Sequence, residues 1–128
     1  MSGTANDWTR ATRVQLKTAC GIAEVTIART FASRFIGLLG RAQLRPNEGL
    51  LFVPGGSIHT CWMRFAIDIV FLNAQFEALR IVSHVRPWRF VFAPRGTQFV
   101  LELSAGAAHP LGVTQHRALE VSPIANNS

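Results

Sequence analysis

Ile58 to Leu72 is the most constraining stretch of this chain: fifteen residues, almost continuously rich in β-branched, aromatic and other apolar side chains. Laid out as one strand it would run roughly 50 Å, well beyond the usual length, so a bend or bulge is expected near Met63–Ala66. Its second half, Ala66-Ile67-Asp68-Ile69-Val70-Phe71-Leu72, reads as a buried strand with one carboxylate set into it. An ionised carboxylate left unpaired in a core costs several kcal/mol. Asp68 must therefore face solvent or a cleft, accept backbone N–H bonds at the bend, or meet an arginine such as Arg34, Arg64 or Arg80.

Around this stretch the chain reads as short strands joined by turns. From Cys20 to Ala28 the pattern alternates, with Ile22, Glu24 and Thr26 on one strand face and Ala23, Val25 and Ile27 on the other. Leu50–Val53, Phe76–Ser83, Gln98–Leu103 and His116–Val121 are further expected strands, and Asn73-Ala74-Gln75 is a hairpin loop. Phe31, Phe35, Leu38 and Leu39 fall on one helical stripe between an N-cap at Thr30 and a C-terminal Gly40, predicting a short amphipathic helix over 31–39. The expected fold is mostly β: an antiparallel β-sandwich or partly closed barrel with that helix against it. With 128 residues there is room for one domain, expected over 13–122, with tails at 1–12 and 123–128.

Composition narrows the function classes. The chain is 48% hydrophobic and 16% charged, outside the disordered range, and no uncharged apolar run approaches the ~18 residues of a membrane-spanning helix. Membrane insertion is not expected. Thirteen basic residues against seven acidic give a net charge of +6, which favours acidic partners through the summed field. No Lys/Arg tract of the kind found in nucleic-acid-binding arms is present, so nucleic acid is not the expected partner. Met1 to Trp8 carries no basic segment followed by an apolar one. A cytoplasmic setting, with Cys20 and Cys61 as free thiols, is therefore expected.

Three places could carry chemistry. On a strand Ile58–Met63, the side chains His59, Cys61 and Met63 would share a face and offer a soft-metal ligand set. Same-face Cβ atoms are some 6.5–7 Å apart, however, too widely spaced to close around one ion, so neither metal nor other cofactor is expected. A Cys–His nucleophile at Cys61 has no supporting local context. His59 with Asp68 is the third, as a catalytic imidazole oriented by a carboxylate. The segment Arg86-Pro87-Trp88-Arg89-Phe90-Val91-Phe92-Ala93-Pro94-Arg95 interleaves arginines with aromatics. Such a mixture can form a protein interface, stack nucleic-acid bases, or fold back over an open sheet edge.

The blocks Arg34-Phe-Ile-Gly37-Leu-Leu-Gly-Arg41, Gly49-Leu-Leu-Phe52, Ile58-His-Thr60 with Trp62-Met63-Arg64, Ile67–Leu72, and Leu101-Glu102-Leu103 with Ala105-Gly106 occur in that order. Together they resemble the bacterial and archaeal family called domain of unknown function 192, over about Val25 to Val121. The resemblance implies a small β-rich domain and carries no reaction, cofactor or catalytic residue. Ala66 stands where the family usually has proline, and Cys61 where it has an aromatic, which weighs against a role for the thiol.

The expected function is that of a single-domain binding or accessory module for a small ligand or protein partner. Its cleft is expected near Arg34, His59, Thr60, Trp62, Met63, Arg64 and Asp68. The alternative is a small hydrolase-like enzyme using His59 and Asp68. An open hydrogen-bonded pair of these two side chains would separate the enzyme from the module.

Overall fold

A computed structural model describes residues 13–29, 44–61 and 63–124. Nine strands follow in chain order: β1 Arg13–Lys17, β2 Ile22–Ala28, β3 Glu48–Phe52, β4 Ile58–His59, β5 Ile67–Leu72, β6 Ala78–Val85, β7 Phe90–Val91, β8 Phe99–Ser104 and β9 Glu120–Pro123. Seven form one sheet in the order β6-β5-β8-β3-β2-β1-β9, and β4 pairs with β7 in a second, two-stranded sheet. The large sheet curls into a half-barrel. The segment 115–119 spans its two edges: the His116 and Leu119 amides donate to Ala78 and Phe76 on the β6 side, and β9 follows directly beside β1. The mostly-β expectation holds.

The apolar pattern of each strand follows from what covers its two faces. Val14, Leu16, Ala23, Val25, Leu51, Val70, Leu72, Leu101 and Leu103 form one core inside the curl. On the outer face, Leu50, Phe52, Ile67, Ile69, Phe71 and Val100 form a second core, closed by Ile58 of β4 and Val91 of β7. Strands β3, β5 and β8 are therefore covered on both sides and read as unbroken apolar runs. The outer face of β2 is wet at Ile22, Glu24 and Thr26, so β2 alternates up to Ile27 and is covered on that face only at Ala28. Glu102 is the exception: it sits on the covered outer face between Leu50 and Ile69 of the neighbouring strands, and is 2% exposed.

Several expectations need adjustment. Ile58–Leu72 is not one bent strand but holds two strands in different sheets, β4 ending at His59 and β5 beginning at Ile67. Strand β1 is an addition: Arg13-Val14-Gln15-Leu16-Lys17 alternates over only five residues, and it is held by pairing with both β2 and β9. The last strand begins at Glu120, four residues after His116, whose own backbone turns with φ 68°. One pair, β2 with β3, is parallel. The helix expected over 31–39 lies outside the described residues, as do the N-terminal tail and residues 125–128; among the described residues there is no helix.

Gly55 shows how tightly the outer layer is drawn onto the sheet. A Cβ there would meet the Phe99 carbonyl carbon and the Val100 nitrogen, each at 2.5 Å, while the Gly55 amide donates to the Gln98 carbonyl at 2.7 Å. Backbone cannot yield as a flexible side chain can. Gly55→Ala is expected to destabilise the fold by about 1–3 kcal/mol in urea unfolding. Gly56→Ala, which meets open space, serves as the control and should leave the midpoint within about 0.5 kcal/mol.

Candidate functional site

Asp68 lies on the inner face near the start of β5, and its side chain is fully enclosed, with 0% exposure. Opposite it, β6 carries a bulge: Ile67 pairs with Val85 and Ile69 with Val82, leaving Ser83 and His84 against the single residue Asp68. His84 turns with φ 55°, and its amide donates to Asp68 Oδ1 at 2.9 Å. The same oxygen accepts the Gly106 amide at 2.9 Å, and Oδ2 accepts the Ala108 amide at 3.0 Å. Of the options open to this buried carboxylate, the backbone-amide one is realised, and it takes up both oxygens. Gly106 itself has φ 82°, and its bare Cα leaves room for the His84 imidazole, which would stand 3.3 Å from any Cβ.

Thr60 forms a second knot, just beyond β4. Its side chain is also fully enclosed. The hydroxyl donates to the Arg86 carbonyl at 2.6 Å and accepts the Arg89 amide at 2.8 Å. The Thr60 amide donates to the Arg89 carbonyl at 2.9 Å, and the Thr60 carbonyl accepts the Trp88 and Met63 amides. One residue thus holds the loop 86–89, in which Trp88 adopts φ 65°. β7 then leaves that loop paired to β4, with His59 opposite Phe90.

The arm that Thr60 holds is two-sided. Val91 and Ala93 turn inward onto the outer core. Trp88, Phe90 and Phe92 turn outward and are 57%, 60% and 71% exposed. These aromatics do not fold back over a sheet edge; it is Val91 and Ala93 that pack inward, onto the outer core. Phe90 lies between two neighbours, with the His59 ring stacked at 6.5 Å and the Phe92 ring tilted at 5.0 Å. Arg80 of β6 reaches over and donates to the Phe92 carbonyl at 3.3 Å.

The expected site residues thus separate. His59 is exposed beside Phe90, Thr60 is buried beneath the arm, Met63 is half-buried against the outer core, and Arg64 is exposed. Arg34 and Trp62 lie outside the described residues. Asp68 presents no accessible atom, and its oxygens go to amides, so the open His59–Asp68 pair on which the hydrolase alternative depends is absent among the described residues. Because β4 ends at His59, the residues His59, Cys61 and Met63 do not share one strand face. No group of three His, Cys, Asp or Glu side chains suited to a metal ion occurs among the described residues. Cys20 and Cys61 are free thiols. A hollow of about 420 Å³ opens elsewhere, between Arg13, Glu24, Thr26, Arg45, Asn47 and Glu48, and none of the expected site residues that the structure describes lines it.

The comparisons with known proteins agree with the sequence blocks. The model of the family domain of unknown function 192, described as "Uncharacterized ACR", matches residues 12–121. The chain belongs to this family. A UPF0127 protein of Pyrococcus furiosus is 34% identical over 103 residues, covering 76% of this chain and 85% of the relative. A UPF0127 protein of Thermococcus sibiricus is 34% identical over 90 residues, 64% of this chain and 55% of its own length. Among solved structures, a protein of unknown function from Novosphingobium aromaticivorans superposes with a TM-score of 0.71 at 25% identity, covering 84% of this chain and 83% of its own. A putative transcription regulator from Sinorhizobium meliloti superposes with a TM-score of 0.73 at 27% identity, covering 85% and 92%.

Two substitutions test the knots. Asp68→Asn keeps the shape but replaces one acceptor oxygen by a donor facing an amide, and is expected to cost about 2–3 kcal/mol in urea unfolding. Thr60→Val removes the hydroxyl from two buried backbone groups and should cost about 2 kcal/mol, with Thr60→Ser restoring most of it. An unchanged midpoint in either variant would show that the corresponding bonds do not hold the fold.

Proposed function

We propose that this domain is a non-enzymatic binding or accessory module whose contact surface is the outer side of the β4–β7 sheet, centred on His59, Phe90 and Phe92 with Trp88 at the start of the same arm. The observation that carries this reading is the exposure of Phe90 and Phe92 on an arm whose alternate residues are core. Exposed single apolar residues are ordinary on protein surfaces, but adjoining aromatic rings held on a fixed backbone are characteristic of interaction sites. The expected cleft thereby becomes a ridge. His59 contributes directly, Thr60 positions the arm from beneath, and Asp68 contributes only by holding the fold.

The reading is supported by what these side chains do not do for stability. Phe92 is 71% exposed, so Phe92→Ser should change the unfolding free energy by no more than about 0.5 kcal/mol. Binding is tested in the host by placing a photoreactive phenylalanine analogue at position 92 of the whole chain, with the exposed β9 residue Ser122 as control position. Irradiation is expected to give a discrete higher-mass adduct from position 92 and none from 122. The reading fails if position 92 gives no adduct, or only the smear that 122 gives.

A further inference from the structure

The segments that form the ridge carry charge of one sign. Residues 49–67 and 78–101, which include β4, β7, the arm and the flanking β6, contain Arg64, Arg80, Arg86, Arg89 and Arg95 and not one aspartate or glutamate. Five of the thirteen basic residues therefore sit in these two segments, against a net charge of +6 for the whole chain. The described carboxylates that reach the surface belong to other segments. Glu24 on β2 pairs with Arg13, Glu77 is engaged by Asn73 in the β5–β6 hairpin, and Glu120 begins β9 beside Lys17 of β1. The arginines of the arm thus have no carboxylate supplied by their own segments, and Arg80, Arg86 and Arg89 are exposed.

Resting on the binding-module reading, we infer that the partner docked on this ridge is an acidic protein segment carrying apolar side chains. A second copy of this chain is disfavoured, because it would bring the same arginines against these ones, and like charges juxtaposed at an interface are costly. Single-stranded nucleic acid shares the negative charge but needs open ring faces on which bases can stack. Phe90 is flanked by His59 and by Phe92, so its ring belongs to a continuous apolar ridge and not to an open stacking platform. Apolar side chains of an acidic segment can pack along such a ridge while its carboxylates meet the arginine fork in bidentate pairs.

The test uses the full chain and three labelled probes: a short peptide alternating glutamate with leucine and phenylalanine, the same peptide with every glutamate replaced by glutamine, and oligothymidylate. Fluorescence anisotropy at low and high salt is the readout. The acidic peptide is expected to bind, to weaken with salt, and to bind at least about tenfold better than its glutamine counterpart. Phe90→Ala and Arg89→Glu should each weaken it about tenfold or more while the circular dichroism spectrum stays unchanged. Equal binding of both peptides, or no binding of the acidic one, overturns the acidic-partner inference. Tighter binding of oligothymidylate overturns it in favour of nucleic acid. The crosslinking result separates these failures from failure of the module reading: an adduct at position 92 without acidic-peptide binding removes only the partner class.

Discussion

Three amide hydrogen bonds to one enclosed carboxylate tie together the β6 bulge and the turn after β8, which no strand ladder joins to each other. The donors come from the β6 bulge at His84 and from Gly106 and Ala108 in the turn after β8. β5 lies between β6 and β8 in the sheet, so Asp68 draws an element from each side toward its own strand end. The bulge demands a left-handed His84 and the turn a left-handed Gly106; both bring an N–H to bear on the same oxygen. Charge-assisted bonds of this kind are roughly twice as strong as neutral ones, which offsets the desolvation of the carboxylate. A buried ion is here a structural ligand for backbone.

Thr60 repeats the device with a neutral group. Its backbone and hydroxyl hold four points of the loop 86–89 together, so the two-residue strands β4 and β7 keep their register although neither is long enough to set it alone. That register decides which side of the arm is wet. A slip by one residue would bury Phe90 and Phe92 and expose Val91, because side chains alternate across a strand. The exposed ridge is thus a consequence of a buried threonine, and the inward residues Val91 and Ala93 anchor what the outward ones present.

Much of this was legible in the chain, and the limits have physical causes. The strict alternation of Ile22–Ile27 announced a half-wet strand, and the Asn73 turn announced the β5–β6 hairpin, where the Asn73 side chain accepts the Gln75 and Glu77 amides. Asp68 could be recognised as a buried carboxylate with a dedicated partner. Which partner it takes could not be read, since amides at 84, 106 and 108 become neighbours only through tertiary pairing. The aromatic arm was visible as a pattern, whereas its orientation depended on Thr60, whose hydroxyl gives no sequence signal of a loop knot. Glu102 was missed as a buried group: Leu101-Glu102-Leu103 looks like a strand with one wet face, and only the apolar Leu50 and Ile69 on either side reveal that this face is covered.

The division of labour between the two sheets also explains why family likeness and functional specificity separate in this chain. The matched region includes nearly all the residues that make the large sheet and both knots. Those residues are constrained by burial and by backbone hydrogen bonds, which any member folding this way must satisfy. The outward side chains of a two-residue strand meet no such demand: Phe90 and Phe92 contribute little to either core, and the arginines beside them stand in water. Exposed aromatics carry a standing risk of nonspecific association, which the surrounding positive charge opposes by keeping copies of the chain apart. In the binding-module reading proposed above, the same charge would meet the carboxylates of an acidic partner, so repulsion between copies and recognition would draw on one set of arginines.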